Sequence, residues 1–285
     1  MELIRDPSDL RSSTDAARAL GDSVALVPTM GDLHDGHRSL IEAARRAQTS
    51  VVVSIFVNPR QFADSDLDAY PRDEAGDLAI CERLGVDVVW APAVEQVYPP
   101  GVELPSPDPG PVGSRFEGAS RPGHLEGVLM VVHRLFDVTG PCVAWFGEKD
   151  AQQVFLVRRM IEMQRLPVSL AVGPTVREPD GLALSSRNSR LSPEERDQAG
   201  CLFLALGEAA ALARAGTDDA GVLVAAMARE VGATPLARLD YAAVVDDATF
   251  EPLARRAPGS PARALIAARF PSARLIDNLR LPDPA

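Results

Sequence analysis

Short, nearly unbroken apolar runs rich in β-branched residues alternate along the first 174 residues with stretches of helical periodicity. Runs at 23–27, 51–57 and 86–90 are separated by helical segments at 37–48 and 73–84, which is a βαβαβ order. Strands without polar alternation are those of a parallel sheet covered on both faces. Residues 98–123, rich in Pro and Gly, break the pattern and read as a long loop or flap. Order resumes with a helix at 125–138, a strand at 142–146, a helix at 150–164 and a last strand at 168–172. Beyond residue 174 the style changes. A hairpin-like segment around Pro179-Asp180-Gly181 precedes two Ala-rich helices and strands near 241–245, 264–268 and 273–277. The pattern predicts an α/β fold with helices on both faces of a parallel sheet, then a smaller C-terminal α+β domain. The boundary is placed near Pro174, and there is no internal repeat or low-complexity tract.

A chain of 285 residues suits one large and one small domain. Its 46% apolar and 24% charged residues are those of a soluble globular enzyme. A net charge of -11 argues against nucleic acid and anionic membrane as partners, because neutralising a phosphate backbone needs the opposite sign. Cys81, Cys142 and Cys201 are odd in number, far apart and set among apolar residues, as expected of buried thiols in a reducing compartment. The first 20 residues carry charge throughout and no apolar run approaches membrane-spanning length, so neither signal peptide nor membrane helix is expected and the location predicted is cytoplasmic.

Of 29 cationic residues, Lys149 is the single lysine. A lysine offers what arginine cannot, a compact ammonium set against one phosphate oxygen. Lys149 lies in Trp145-Phe146-Gly147-Glu148-Lys149-Asp150, where an apolar strand end turns into a helix, the place where open α/β sheets hold ligands. A stronger motif follows the first strand, Pro28-Thr29-Met30-Gly31-Asp32-Leu33-His34-Asp35-Gly36-His37. Amides at a helix start favour anions, Gly31 and Gly36 permit close backbone approach, and two imidazoles can donate to phosphate oxygens. The plainer alternative is a polar helix start with one histidine capping and one solvated. The spacing does not match helical zinc ligands, which stand four apart with a glutamate between.

Asn58-Pro59-Arg60-Gln61 puts two amides at the sheet's carboxyl edge, able to read hydroxyls and carboxylates, or simply an ordinary loop with Asn58 restrained by Pro59. Leu184-Ser185-Ser186-Arg187-Asn188 sets two hydroxyls beside a guanidinium, suited to a phosphate chain or to a plain polar turn. Gln153 stands three residues after Asp150 on the same helix face.

Taken together these segments resemble the pantoate-beta-alanine ligase family, within the nucleotidyltransferase superfamily that carries a His-x-Gly-His type of signature. The resemblance covers residues 26–37, 52–62, 68–72, 121–135, 146–153, 174–191, 241–246 and 275–279 in family order, over nearly the whole chain. It implies a Rossmann-like domain at 1–174 that binds ATP and pantoate, a small lid domain at 175–285, and a homodimer formed by the large domains. It also implies an ATP-dependent condensation of pantoate with β-alanine through an enzyme-bound pantoyl adenylate, releasing pyrophosphate and AMP, with Mg2+ bridging phosphate oxygens. Carried over by motif, Met30, Gly31, Asp32, Leu33, His34, Asp35, Gly36 and His37 line the ATP site, with His37 as proton donor and His34 as phosphate contact. Gly147, Glu148, Lys149 and Asp150 hold the nucleotide, and Val176 touches the adenine side. Leu184, Ser185, Ser186 and Arg187 close over the phosphates, while Asn58, Gln61 and Gln153 serve pantoate and β-alanine. The catalytic set expected is His34, His37, Lys149, Ser185 and Arg187, with no protein ligand named for the metal. Residues 110–123 are expected to order over the intermediate.

Some positions depart from the family's commonest pattern. Asp32 replaces alanine, adding a negative charge near the phosphates unless it points outward. Ala151 replaces tyrosine, and Leu125 and Met130 replace phenylalanine and threonine, changes that packing absorbs. The rival readings are another small-molecule adenylyltransferase and a catalytically silent nucleotide sensor, and pyrophosphate release separates them from the ligase.

Overall fold

The computed structural model describes residues 1–62, 67, 70–257 and 259–283. Residues 68 and 69, part of one resembling segment, lie outside them. The chain divides into two compact units, 1–148 with 152–174, and 149–151 with 175–285.

The first unit is built on six parallel strands, β1 (Glu2–Ile4), β2 (Val24–Thr29), β3 (Ser50–Ile55), β4 (Val88–Trp90), β5 (Cys142–Gly147) and β6 (Val168–Gly173), in the order β1-β4-β3-β2-β5-β6. Its principal helices are α1 (Pro7–Ala19), α2 (Asp35–Ala47), α3 (Glu74–Arg83), α4 (His124–Thr139) and α5 (Ala151–Gln164). Ala25, Val27, Val51, Val53 and Val89 face Leu40, Ile41, Ala44 and Cys81 of α2 and α3 in one apolar cluster. The alternate residues Leu26, Val52 and Ala144 are also fully buried, so the other face is covered too, which accounts for the unbroken apolar runs. Strand β1 and helix α1 are additions to the expected pattern. A three-residue strand is too short to show a period, and α1 starts on a polar cap, with Asp6 accepting from the Ser8 amide at 2.7 Å and Pro7 in its first turn.

From β2 the chain winds outward through β3 and β4, then returns to place β5 on the other side of β2. The strand order therefore reverses between β2 and β5, and the loops leaving their carboxyl ends open at the switch point. Those are the loops of the histidine motif and of the turn leading to Lys149.

Residues 98–123 are more structured than a loose flap. Two helical turns, Pro111–Ser114 and Glu117–Ser120, are fastened to α5 by Gln152, which is 5% exposed. Its Nε2 donates to the Val112 carbonyl at 2.7 Å and the Arg115 carbonyl at 3.0 Å, and its Oε1 accepts from the Glu117 amide at 3.0 Å.

The second unit packs α6 (Pro193–Ala199), α7 (Cys201–Arg214) and α8 (Ala220–Gly232) with an antiparallel sheet of β7 (Arg238–Asp246), β8 (Ala262–Arg269) and β9 (Arg274–Leu281). Three helices stand where two were expected, since a short capped helix precedes α7. The segment around Pro179 is hairpin-like, with Arg177 bridging Ala183 and the Leu184 amide donating to the Val176 carbonyl at 2.9 Å. Cys81 and Cys201 are buried and Cys142 is part-buried. Burial pushes the thiols of Cys81 and Cys142 up to about 12, so both stay protonated.

Candidate active site

The histidine motif leaves β2 at Thr29 and turns through two left-handed residues, Gly31 at φ +80 and Asp32 at φ +52. The turn is held from α3. Asp77, 3% exposed, accepts from the Asp32 amide at 2.9 Å and the Leu33 amide at 2.8 Å. A Cβ on Gly31 would come within 2.8 Å of Asp77 Oδ2, so glycine is required where the carboxylate comes closest. Burial raises the Asp77 carboxyl above its ordinary value, against the lowering effect of the two amides. Asp32 itself sits in a left-handed conformation where a short polar side chain is better tolerated than alanine.

Helix α2 then starts on a capping box built from imidazoles. His34 is the N-cap, its Nδ1 accepting from the Gly36 amide at 3.1 Å, and His37 Nδ1 accepts from the His34 amide at 3.3 Å. Both histidines cap, so the alternative of one capping and one solvated histidine does not hold. A ring nitrogen that accepts carries no proton, and each ring therefore bears its hydrogen on Nε2. The two rings lie 4.1 Å apart between centroids at the positive end of a helix.

Asn58, 1% exposed, is used entirely inside the protein. Its Oδ1 accepts from the Arg60 amide at 3.1 Å and the Tyr98 hydroxyl at 2.7 Å, while Nδ2 donates to Gln61 Oε1 at 2.9 Å and the Gly127 carbonyl at 3.0 Å. Two donors and two acceptors are thereby satisfied. Asn58 holds Gln61 in place through the 2.9 Å bond to its Oε1. Gln61 Nε2 reaches Met30 Sδ at 3.0 Å, tying the amide to the histidine motif. Gly127 is obligatory, since a Cβ there would fall 2.2 Å from the Arg60 carbonyl oxygen. Gln153 is half-buried and makes no side-chain hydrogen bond among the described residues, unlike its neighbour Gln152.

In the second unit, Lys149, Ser185, Arg187, Asn188 and Asp277 line one cavity of ≈ 10 Å³, the room of one water rather than of a nucleotide. The Lys149 side chain is 16% exposed and stands 3.6 Å from Asp150. Ser185 caps the short turn Ser186–Arg190, its hydroxyl accepting from the Arg187 amide at 3.2 Å. Asp277 is gripped at both oxygens by Arg177, at 2.5 and 2.9 Å. Burial raises its carboxyl while Arg177, the Asn278 amide and Lys149 oppose the rise. Arg177 also donates to the Gly181 carbonyl at 2.9 Å and lies 4.4 Å over the Phe203 ring, locking the hairpin that carries Val176 and Leu184. Residues 177 and 277 fall in resembling segments, but their pairing carried no signal in the sequence because it spans 100 positions.

The model of the pantoate-beta-alanine ligase family matches residues 2–280. The chain belongs to this family. The pantothenate synthetase of Rhizorhabdus wittichii is 50% identical over 288 residues, covering 100% of both chains. That of Leifsonia xyli is 52% identical over 270 residues, covering 94% of this chain and 92% of its own. Among solved structures, pantothenate synthetase from Thermus thermophilus superimposes with a TM-score of 0.91 at 44% identity, covering 99% of this chain and 100% of its own. The pantoate-beta-alanine ligase of Francisella tularensis, complexed with beta-gamma ATP and beta-alanine, gives a TM-score of 0.78 at 31% identity, covering 98% of this chain and 97% of its own.

Proposed function

We propose that this ligase condenses pantoate with β-alanine at the expense of ATP, through a pantoyl adenylate. The observation that supports the reading is the imidazole capping box, which sets two histidines at a helix start beside the switch point of the sheet. Family membership and the ATP and β-alanine complex of the Francisella relative support the substrate set.

In the first step a pantoate carboxylate oxygen attacks the α-phosphorus of ATP and the bond to the bridging oxygen of pyrophosphate breaks. Negative charge gathers there as a carboxylate approaches. His34 and His37 offset it as hydrogen-bond donors, and Lys149 and Arg187 offset it as charges, an electrostatic role commonly worth about 3 kcal/mol per donor. Met30 and the 31–36 backbone line the ATP, Gln61 and Gln153 hold pantoate, and Ser185 sets the Arg187 amide. In the second step the neutral amine of β-alanine attacks the acyl carbon, the carbon–oxygen bond to AMP breaks, and the amine loses a proton. Water must be excluded between the two steps, the task we assign to residues 110–123 and to a lid at 175–285, with 1–174 as the ATP- and pantoate-binding domain.

Among the described residues no group of three or more His, Cys, Asp or Glu side chains is placed to hold a metal ion. Magnesium enters this scheme as the counter-ion of ATP, and no step is assigned to a protein-held metal. Among the described residues no helix is long and apolar enough to cross a membrane. We further propose a cytoplasmic homodimer formed by the large domains, which light scattering of the purified protein tests.

The experiment is pyrophosphate release with ATP, magnesium and pantoate, with and without β-alanine. Multiple turnovers that require β-alanine support the ligase. ATP binding without pantoate-dependent pyrophosphate release rejects it in favour of a sensor.

A further inference from the structure

We propose that Asn278 is a positioning residue for Lys149, acting through the backbone of the turn that carries the lysine. The proposal rests on the reading of Lys149 as a phosphate-facing cation. Asn278 lies in β9 and is 4% exposed. Its Nδ2 donates to the Lys149 carbonyl at 2.8 Å across 129 positions of sequence. Its Oδ1 accepts from Arg263 Nη1, and Arg263, also 4% exposed, is itself fixed by a 2.6 Å bond from Nε to Asp247 Oδ1. The Asn278 amide donates to Asp277 Oδ1 at 2.8 Å, and Asp277 is clamped by Arg177. The carboxamide thus has its oxygen committed to the scaffold and its nitrogen to the lysine turn.

An amide is the group this position needs. One planar carboxamide gives a donor for a carbonyl and an acceptor for a guanidinium, whereas a carboxylate would set a second acceptor against the Lys149 carbonyl with no donor between them. Holding the carbonyl fixes a peptide plane and with it the origin of the lysine stem. A lysine acts on phosphate as a point charge at the end of four flexible carbons, so its reach is set at that origin. Misplacement by about 1 Å is enough to cost on the order of a hundredfold in rate.

A purely structural asparagine and one acting through Lys149 differ in their coupling. The test is a double-mutant cycle with Asn278→Asp, which keeps the acceptor for Arg263 and loses the donor, and Lys149→Ala. Pyrophosphate release is followed with enzyme in excess of pantoate, and melting temperatures are recorded for all four proteins. Asn278→Asp is expected to slow release between about tenfold and a hundredfold with Lys149 present, and less than about twofold in the Lys149→Ala background. Equal losses in both backgrounds overturn the proposal. Where Asn278→Asp does not fold, Asn278→Ala takes its place. The same cycle on ATP affinity by calorimetry needs no turnover, and additivity there overturns the proposal equally. Failure of the wild type to release pyrophosphate would instead reject the ligase reading, a distinguishable result.

Discussion

The loop after β2 and the turn Ser186–Arg190, to which we assign anion contacts, are organised in opposite ways. In the first, the histidines help to build their own scaffold: His34 and His37 spend one nitrogen each on capping α2. In the second, the scaffold is delegated to Arg177, Asp277, Asn278 and Arg263, while Lys149 and Arg187 line a small cavity. Hydrogen-bond donors fixed by a helix cap and full charges on long stems are complementary devices for an anion.

The comparison breaks most visibly at Lys149. Lys149→Ala is expected to slow pyrophosphate release at least about a hundredfold with little change in melting temperature, because the ammonium makes chemistry rather than structure. At the histidines the two jobs separate by choice of replacement. His37→Gln keeps a side-chain acceptor for the His34 amide, as glutamine does in ordinary capping boxes, and should lose about tenfold to a hundredfold in rate while retaining stability. His34→Ala removes the cap as well and is expected to cost about 1 kcal/mol of stability in denaturant titration, whereas His34→Asn spares it.

Gln152→Leu removes one amide that serves two carbonyls and one amide N–H of the 111–117 segment. Faster proteolysis within 110–123 is expected, together with a loss of about 1–3 kcal/mol; unchanged cleavage would show that the segment is held by other contacts.

The smallest effect concerns Asp77. Its folded carboxyl is raised above the ordinary value of 3.8, so the native state binds the proton more tightly and stability from this group falls as pH rises through the window above 3.8. Asp77→Asn has no such slope. Its destabilisation relative to wild type should therefore shrink as pH rises across that window, and a penalty that grows with pH would reverse the assigned cause.

What the sequence made legible was what sits together in it. Two glycines and two histidines directly after an apolar run, and a lone lysine after another, fall where the structure has the loops that leave β2 and β5. Asp77, Tyr98, Arg177 and Asn278 were not legible, because each acts on a segment at least 40 positions away. Gln152 is intermediate. It lies on the buried stripe of α5 with Leu156 and Met160, four and eight residues on, and helical periodicity alone separates it from Gln153. In sequence an amide at a strand end looks the same whether it reads a substrate or satisfies its neighbours, as Asn58 does.

The most direct measurement follows the oxygen. With pantoate labelled by 18O in its carboxylate, condensation through a pantoyl adenylate transfers one labelled oxygen to AMP as the amine displaces it. Label in AMP is the predicted result. Label in inorganic phosphate, with ADP as the other product, would place the attack at the γ-phosphorus and contradict the account.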